Sequence, residues 1–338
     1  MEYRPLGRNG VQVSKLCLGT MMFGAWGNAD HDDSVRIIHA ALDAGVNFVD
    51  TADVYSAGES EEIVGKALKG RRDDVVLATK FFMPMGEDPN RRGVSRRWII
   101  AEVESSLRRL GTDWIDLYQV HRPEPGVDME EPLGALTDLI HQGKVRYIGS
   151  SSYSGSQIVE AQWAARERRL ERFRTEQPPY SLLTRSIELD VLPTAQRHGM
   201  GILTYSPLAG GWLSGSWTAD SSPTSPARQR LAARFDMSLA ENQRKLEAVE
   251  QLAKVAGEAG VSLIGLAIAF VVNHPAVTSA IIGPRTMEQL DSQLPATDVV
   301  LDAAVLDRID EIVTPGVNLN PADTSYGEQV LQPVRRRR

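Results

Sequence analysis

The chain has 338 residues, 42% hydrophobic and 24% charged, a globular composition with room for one large domain or two medium ones. A net charge of −7 argues against generic nucleic-acid binding and for a soluble protein. Cys17 is the single cysteine, which excludes an intramolecular disulfide and a cysteine-based zinc site; flanked by Leu16 and Leu18, it suits a small core position.

The first predicted element is a hairpin, with an Asn-Gly turn signal in Gly7-Arg8-Asn9-Gly10 between Glu2-Tyr3-Arg4 and Val11-Gln12-Val13. The opening Met1-Glu2-Tyr3-Arg4-Pro5 lacks a signal-peptide core, and the longest apolar stretch, Leu263 to Val272, is too short to cross a bilayer. A cytoplasmic protein without a membrane partner is expected.

Short apolar runs then alternate with amphipathic stretches. Leu16 to Gly19 reads as a strand, followed by a helix from about Asp32 to Ala44, capped by Asp32 or Asp33 and closed by Gly45. Phe48 to Asp50 is the next strand, with a helix from about Ser60 to Lys69. Val75 to Thr79 reads as a strand ending on Lys80, Met83 to Gly93 as a loop, and Ser95 as the cap of a helix. Ile115 to Val120 leads to His121 and then a helix from Glu130 to His141. Val145 to Ser150 precedes a helix from Gly155 to Arg169, and Thr175 to Gln177 precedes one from Ile187 to His198. Gly201 to Tyr205 is followed by a long Gly/Ser/Pro/Trp-rich loop, Gly210 to Pro226. Helices at Glu241 to Ala256 and Ser262 to Val272, a last strand at Ser279 to Ile282, and helices at Met287 to Leu294 and Ala303 to Val313 complete the pattern. Arg335 to Arg338 reads as a solvated end.

Eight strand-helix units imply a parallel sheet, and their number favours a (β/α)8 TIM barrel over an open doubly wound sheet. No G-x-G-x-x-G follows an early strand, as a doubly wound dinucleotide fold would require. The expected organisation is one domain, residues 1–338, with a core of about 12–313, an N-terminal β-hairpin, extra C-terminal helices and a tail from 314.

Asp50, Tyr55, Lys80 and His121 stand at or just beyond the ends of the second, third and fourth strands, which meet at one face of a barrel. Each alone has an ordinary structural explanation. Together they suit protonation of a carbonyl oxygen as it gains negative charge. A phenol is a weak acid near neutral pH, and the Lys80 ammonium could lower the Tyr55 pKa. Asp50 could keep Lys80 charged, and His121 could hydrogen-bond a substrate oxygen. The set contains no metal-binding pattern. Lys80 as a Schiff-base nucleophile is a weaker alternative.

The stretch from Phe48 to Tyr55 with Gly58-Glu59-Ser60-Glu61 resembles the signature of the aldo-keto reductase superfamily. So do Ser106 to Asp113, Asp116-Leu117-Tyr118, His121-Arg122-Pro123, Gly143 to Gly149 and Tyr205-Ser206-Pro207-Leu208. The matches keep their order from about Leu6 to Val313. The resemblance implies a TIM barrel, NADPH-dependent reduction of an aldehyde or ketone, and a tetrad of Asp50, Tyr55, Lys80 and His121 with Tyr55 as general acid. For the cofactor, NADP with NADPH preferred over NADH, it implies contacts from Gly19, Thr20, Asp50, Ser151, Gln177, Tyr205, Ser206, Leu208 and Gly210. Gly283, Arg285, Gln289 and Gln293 would line the adenosine end, with Arg285 toward the 2′-phosphate. Ser151-Ser152 departs from the usual Ser-Asn, so one amide contact to the nicotinamide is replaced or lost. Ser292 and Gln293 stand where Glu and Asn are usual. Phe23, Trp26, Trp212 and Trp217 could wall the substrate pocket beside Tyr55 and His121, or could close loop packing. A small carbonyl compound is the expected partner. A regulatory subunit with slow turnover, as among barrel relatives that attach to potassium channels, is the alternative. No oligomeric state is specified.

Overall fold

The computed structural model describes residues 1–217 and 231–324. Part of the predicted 210–226 loop and the Arg335 to Arg338 run lie outside the described residues. Two short strands, β1 (Tyr3–Pro5) and β2 (Gln12–Ser14), pair antiparallel. Their connection is a six-residue loop rather than a two-residue Asn-Gly turn. Leu6 N bonds Val11 O at 2.7 Å, and the Asn9 side chain is engaged with Val11 N.

Eight parallel strands follow: β3 (Leu16–Gly19), β4 (Phe48–Asp50), β5 (Val76–Phe81), β6 (Ile115–Val120), β7 (Val145–Ser151), β8 (Thr175–Gln177), β9 (Gly201–Tyr205) and β10 (Ser279–Ile282). They close into a barrel in chain order, β10 pairing with β3. The fold is the expected (β/α)8 barrel with an N-terminal hairpin. Helices α1 (His31–Asp43), α2 (Glu59–Leu68), α3 (Arg96–Leu110), α4 (Glu130–His141), α5 (Gly155–Arg168) and α6 (Val191–His198) alternate with the strands. They are joined later by α7 (Ala240–Glu258), α8 (Leu263–Val272), α9 (Met287–Gln293) and α10 (Ala303–Ile312). Among the described residues, no single helix is long and apolar enough to cross a membrane.

Local chemistry explains the helix ends. Asp30, not Asp32 or Asp33, caps α1 by accepting from Asp33 N, while Ser95 and Ser262 cap α3 and α8. The helix expected from Ile187 to His198 is divided: a 3-10 turn at Ser186–Glu188 precedes α6, which begins after Asp190. Pro193 is the reason. Its ring and missing N–H are tolerated in a first turn but would break a helix already under way.

Two apolar layers follow from strand alternation. The larger lies between strands and helices. The smaller fills the barrel with Cys17, Phe48, Ala78, Leu117, Leu203 and Ile281, closed from the hairpin side by Leu6 and Val13. The segment after α10 is tied to the barrel: Leu319 N bonds Leu183 O, Arg185 N bonds Val317 O, and Asp323 pairs with Arg234 and Lys245.

Candidate active site

On three neighbouring strands, a polar group reaches the barrel mouth two residues beyond the interior apolar side chain. Phe48 is followed by Asp50, Ala78 by Lys80, and Leu117 by Gln119. Register places Asp50 opposite Ala78 and Lys80 opposite Gln119. Gly149 faces the same layer, where a Cβ would lie 2.1 Å from Thr175 Oγ1 and 3.3 Å from Gln119 Cγ. Glycine therefore leaves space for the polar layer.

That layer is a connected network. Lys80 is fully buried and its ammonium donates to Asp50 Oδ2 at 2.5 Å, Thr51 O at 2.8 Å and the Tyr55 hydroxyl at 3.3 Å. The other oxygen of Asp50 accepts from Gln119 Nε2 at 3.1 Å and Gln177 Nε2 at 2.9 Å. His121 stands edge-on to Tyr55 with ring centroids 5.9 Å apart, and its buried Nδ1 has no partner among the described residues. All four tetrad candidates therefore meet at one place. Gln119, which sequence reasoning missed, completes the Asp50 environment; its signal was its place two residues after inward Leu117.

The electrostatics differ from expectation in one respect. Burial pushes the Tyr55 phenol up, and the nearby Lys80 charge pulls it down without overcoming burial. The net shift is upward, not the depression expected from Lys80 alone, so the phenol stays protonated. Burial also works against the Lys80 ammonium, but Asp50 and then Tyr55 outweigh it and raise its pKa. His121 is held well below the ordinary histidine value by burial, then by the charges of Lys80 and Arg122. The site therefore offers a neutral phenol, a charged lysine and a neutral imidazole.

Tyr55 begins a tight turn, Tyr55–Gly58, in which Ser56 (φ 49°), Ala57 (φ 58°) and Gly58 (φ 100°) are all left-handed. Two such non-glycine residues are costly and need outside support. Ser56 Oγ supplies part of it, donating to Phe23 O at 3.2 Å and accepting from Trp26 N at 3.1 Å. Below the turn, Arg109 pairs with Glu61 at 2.6 Å and Glu102 at 2.5 Å. Gly58 lets that arginine approach, since a Cβ there would meet Arg109 Cδ at 2.7 Å.

The candidate cofactor residues occupy one end of the barrel. Gly19, Ser151, Gln177 and Tyr205 terminate β3, β7, β8 and β9. Thr20 is buried, its hydroxyl engaged with Ser60 and Asp50 O. Ser151 Oγ donates to Gln177 O at 2.9 Å. Ser206, Leu208 and Gly210 form the turn after β9, with Ser206 and Gly210 left-handed. Gly283 and Arg285 are exposed after β10; Gln289 accepts from Arg285 N, and the side-chain oxygen of buried Gln293 has no partner among the described residues.

The aromatic wall needs correction. Trp26 does lie beside Tyr55, with ring centroids 6.1 Å apart. Phe23 and Trp212, however, are completely buried in the core and cannot wall an open pocket. Trp212 packs with Trp217 and Phe235, donates Nε1–H to Arg234 O, and has the Lys245 ammonium 4.4 Å from its ring centroid. Apolar burial takes these rings into loop packing.

Residues 15–314 match the model of the Aldo/keto reductase family. A Bacillus subtilis (strain 168) protein named uncharacterized oxidoreductase YrpG is 42% identical over 324 residues, covering 92% of this chain and 96% of that protein. Aldo-keto reductase YhdN of the same organism is 38% identical, covering 86% of this chain and 87% of its own. An Arabidopsis thaliana protein named probable voltage-gated potassium channel subunit beta is 37% identical, covering 93% and 97%.

Proposed function

Because this chain belongs to the aldo/keto reductase family of oxidoreductases, we propose that it reduces aldehydes or ketones to alcohols with NADPH, Tyr55 serving as general acid. The observation that carries the proposal is the Asp50–Lys80–Tyr55 chain of contacts ending beside His121 at the barrel mouth. A bound nicotinamide cofactor would supply the hydride. Tyr55 keeps its proton until a carbonyl oxygen gains charge, then gives the proton to that oxygen, and the phenolate left behind has the Lys80 ammonium beside it. Asp50 holds Lys80 charged and oriented. Neutral His121 orients the carbonyl oxygen. A cytoplasmic setting belongs to the same proposal.

The residues fit a dinucleotide. Ser151, Gln177 and Tyr205 would hold its nicotinamide end, and Ser206, Leu208 and Gly210 the pyrophosphate. Gly283, Arg285, Gln289 and Gln293 would hold the adenosine end. Two observations support this: among the described residues, the exposed Arg285 makes no ion pair and the amide oxygen of buried Gln293 has no hydrogen-bond partner. Replacing Arg285 with Ala is expected to weaken NADPH binding by roughly 10- to 100-fold and NADH binding much less, because only NADPH carries the 2′-phosphate. Fluorescence titration of both cofactors checks this; equal losses would remove Arg285 from phosphate recognition.

The depressed His121 pKa gives a second prediction. With NADPH and a carbonyl substrate, kcat/KM should show no loss centred at 6.5, the ordinary histidine value, as pH falls from about 8. Protonation, and loss of the neutral imidazole, should come only at lower pH. A midpoint at the ordinary value in the measured profile would contradict a buried, neutral His121.

The relative named as a potassium channel subunit favours a second reading, a cofactor-binding regulatory subunit. NADPH oxidation across a panel of aldehydes and ketones separates the two. Turnover above the background rate supports the enzyme; tight NADPH binding with no turnover of any carbonyl supports the regulator.

A further inference from the structure

Half-buried and buried arginines in this protein are generally neutralised by carboxylates. Arg72 meets Asp116, Arg109 meets Glu61 and Glu102, Arg185 meets Glu188 and Asp310, and Arg234 meets Asp323. Two half-buried arginines lack such a pair among the described residues, Arg172, which donates to Gln162 Oε1 and His198 O, and Arg122; of these only Arg122 stands beside the tetrad. It directly follows His121, is half-buried, and makes no ion pair with any described residue. Its Nη1 donates to His121 O at 2.7 Å and Ser152 Oγ at 3.0 Å. Those bonds use one nitrogen and fix the plane of the guanidinium. Nε and Nη2 have no acceptor among the described residues, and together they form the edge that grips a carboxylate with two parallel hydrogen bonds.

The support for Arg122 is itself built. Ser152 is left-handed (φ 60°), and its hydroxyl lies 3.4 Å from the Tyr205 hydroxyl. Ser152 N bonds Gln177 O, and the neighbouring Tyr153 N donates to the buried Glu176 carboxyl, which also accepts from Ser150 Oγ. The turn that positions Arg122 is thus anchored in β8. Its charge is near enough to act with Lys80 in keeping His121 neutral. The charges of Lys80 and Arg122 both bear on Tyr55 and His121.

We propose that Arg122 recognises a carboxylate on the carbonyl substrate, making the favoured substrates aldehydes or ketones that carry a carboxylate. This inference rests on the reductase reading. It explains why a guanidinium is held at the mouth with one edge unspent.

The test compares kcat/KM for para-carboxybenzaldehyde against isosteric, neutral para-nitrobenzaldehyde, and for succinic semialdehyde against butanal. NADPH affinity is measured in parallel by fluorescence titration. Wild type should favour the carboxylate in at least one pair. In Arg122→Met the carboxylate-to-neutral ratio for that pair should fall by roughly 10- to 100-fold, and Arg122→Lys should restore part of it by restoring charge. A purely structural role would lower both members alike and leave the ratio in place, which would overturn the proposal. So would a wild type without carboxylate preference in either pair. Weaker NADPH binding in Arg122→Met with an unchanged ratio would also overturn it, assigning the guanidinium to the cofactor. No turnover of any aldehyde by wild type would sink the reductase reading and this inference with it; turnover without the ratio change sinks the inference alone.

Discussion

Tyr55→Phe should lose roughly 10²- to 10⁴-fold in kcat for carbonyl reduction while still binding NADPH. The substitution removes one oxygen and retains a ring of the same shape beside Trp26 and His121. Its effect is therefore on proton supply. The Tyr55 hydroxyl is within hydrogen-bond reach of an ammonium that Asp50 holds charged. That arrangement matters most when the phenol gives up its proton, because the resulting phenolate has a cation beside it. Steady-state kinetics and an NADPH titration on the same preparation check the prediction. A variant with kcat within about threefold of wild type would show that another group supplies the proton.

The second large effect is on folding. Lys80→Met should destabilise the protein by about 3–5 kcal/mol and abolish most turnover. Lys80 is completely buried, and its removal leaves the Asp50 carboxylate in the barrel with only the Gln119 and Gln177 amides as donors at its other oxygen. Changing Asp50 to Asn as well should recover most of the stability, because no buried charge is then left uncompensated, but should not recover activity. Urea denaturation of wild type, single and double variants reads this directly. A double variant no more stable than Lys80→Met would mean that packing, not the unpaired charge, causes the loss.

Much of the fold was legible because barrel strands are short, apolar and bounded by turn residues. The ranges of β3, β4, β6, β8, β9 and β10 agree with the sequence expectation. The split before α6 was less visible, since the apolar spacing continues from Ile187 through Leu192 and only Pro193 signals the restart. At the site, Asp50, Lys80 and His121 were marked by their positions at strand ends. Gln119 was not, because a polar residue near a strand end has no distinctive one-dimensional pattern.

The sequence by itself determined the alternation of strands and helices, the barrel that eight such units favour, and the candidate acid, cation and imidazole. These depend on residue type and local period, which need no coordinates. Only the tertiary structure decided that Phe23 and Trp212 belong to the core while Trp26 faces Tyr55. It also decided that burial overrides Lys80 in setting the acidity of Tyr55, and that Arg122 lies at the mouth without a carboxylate partner among the described residues. Burial and charge pairing depend on which distant segments surround a side chain, and closure of the barrel is what brings those segments together.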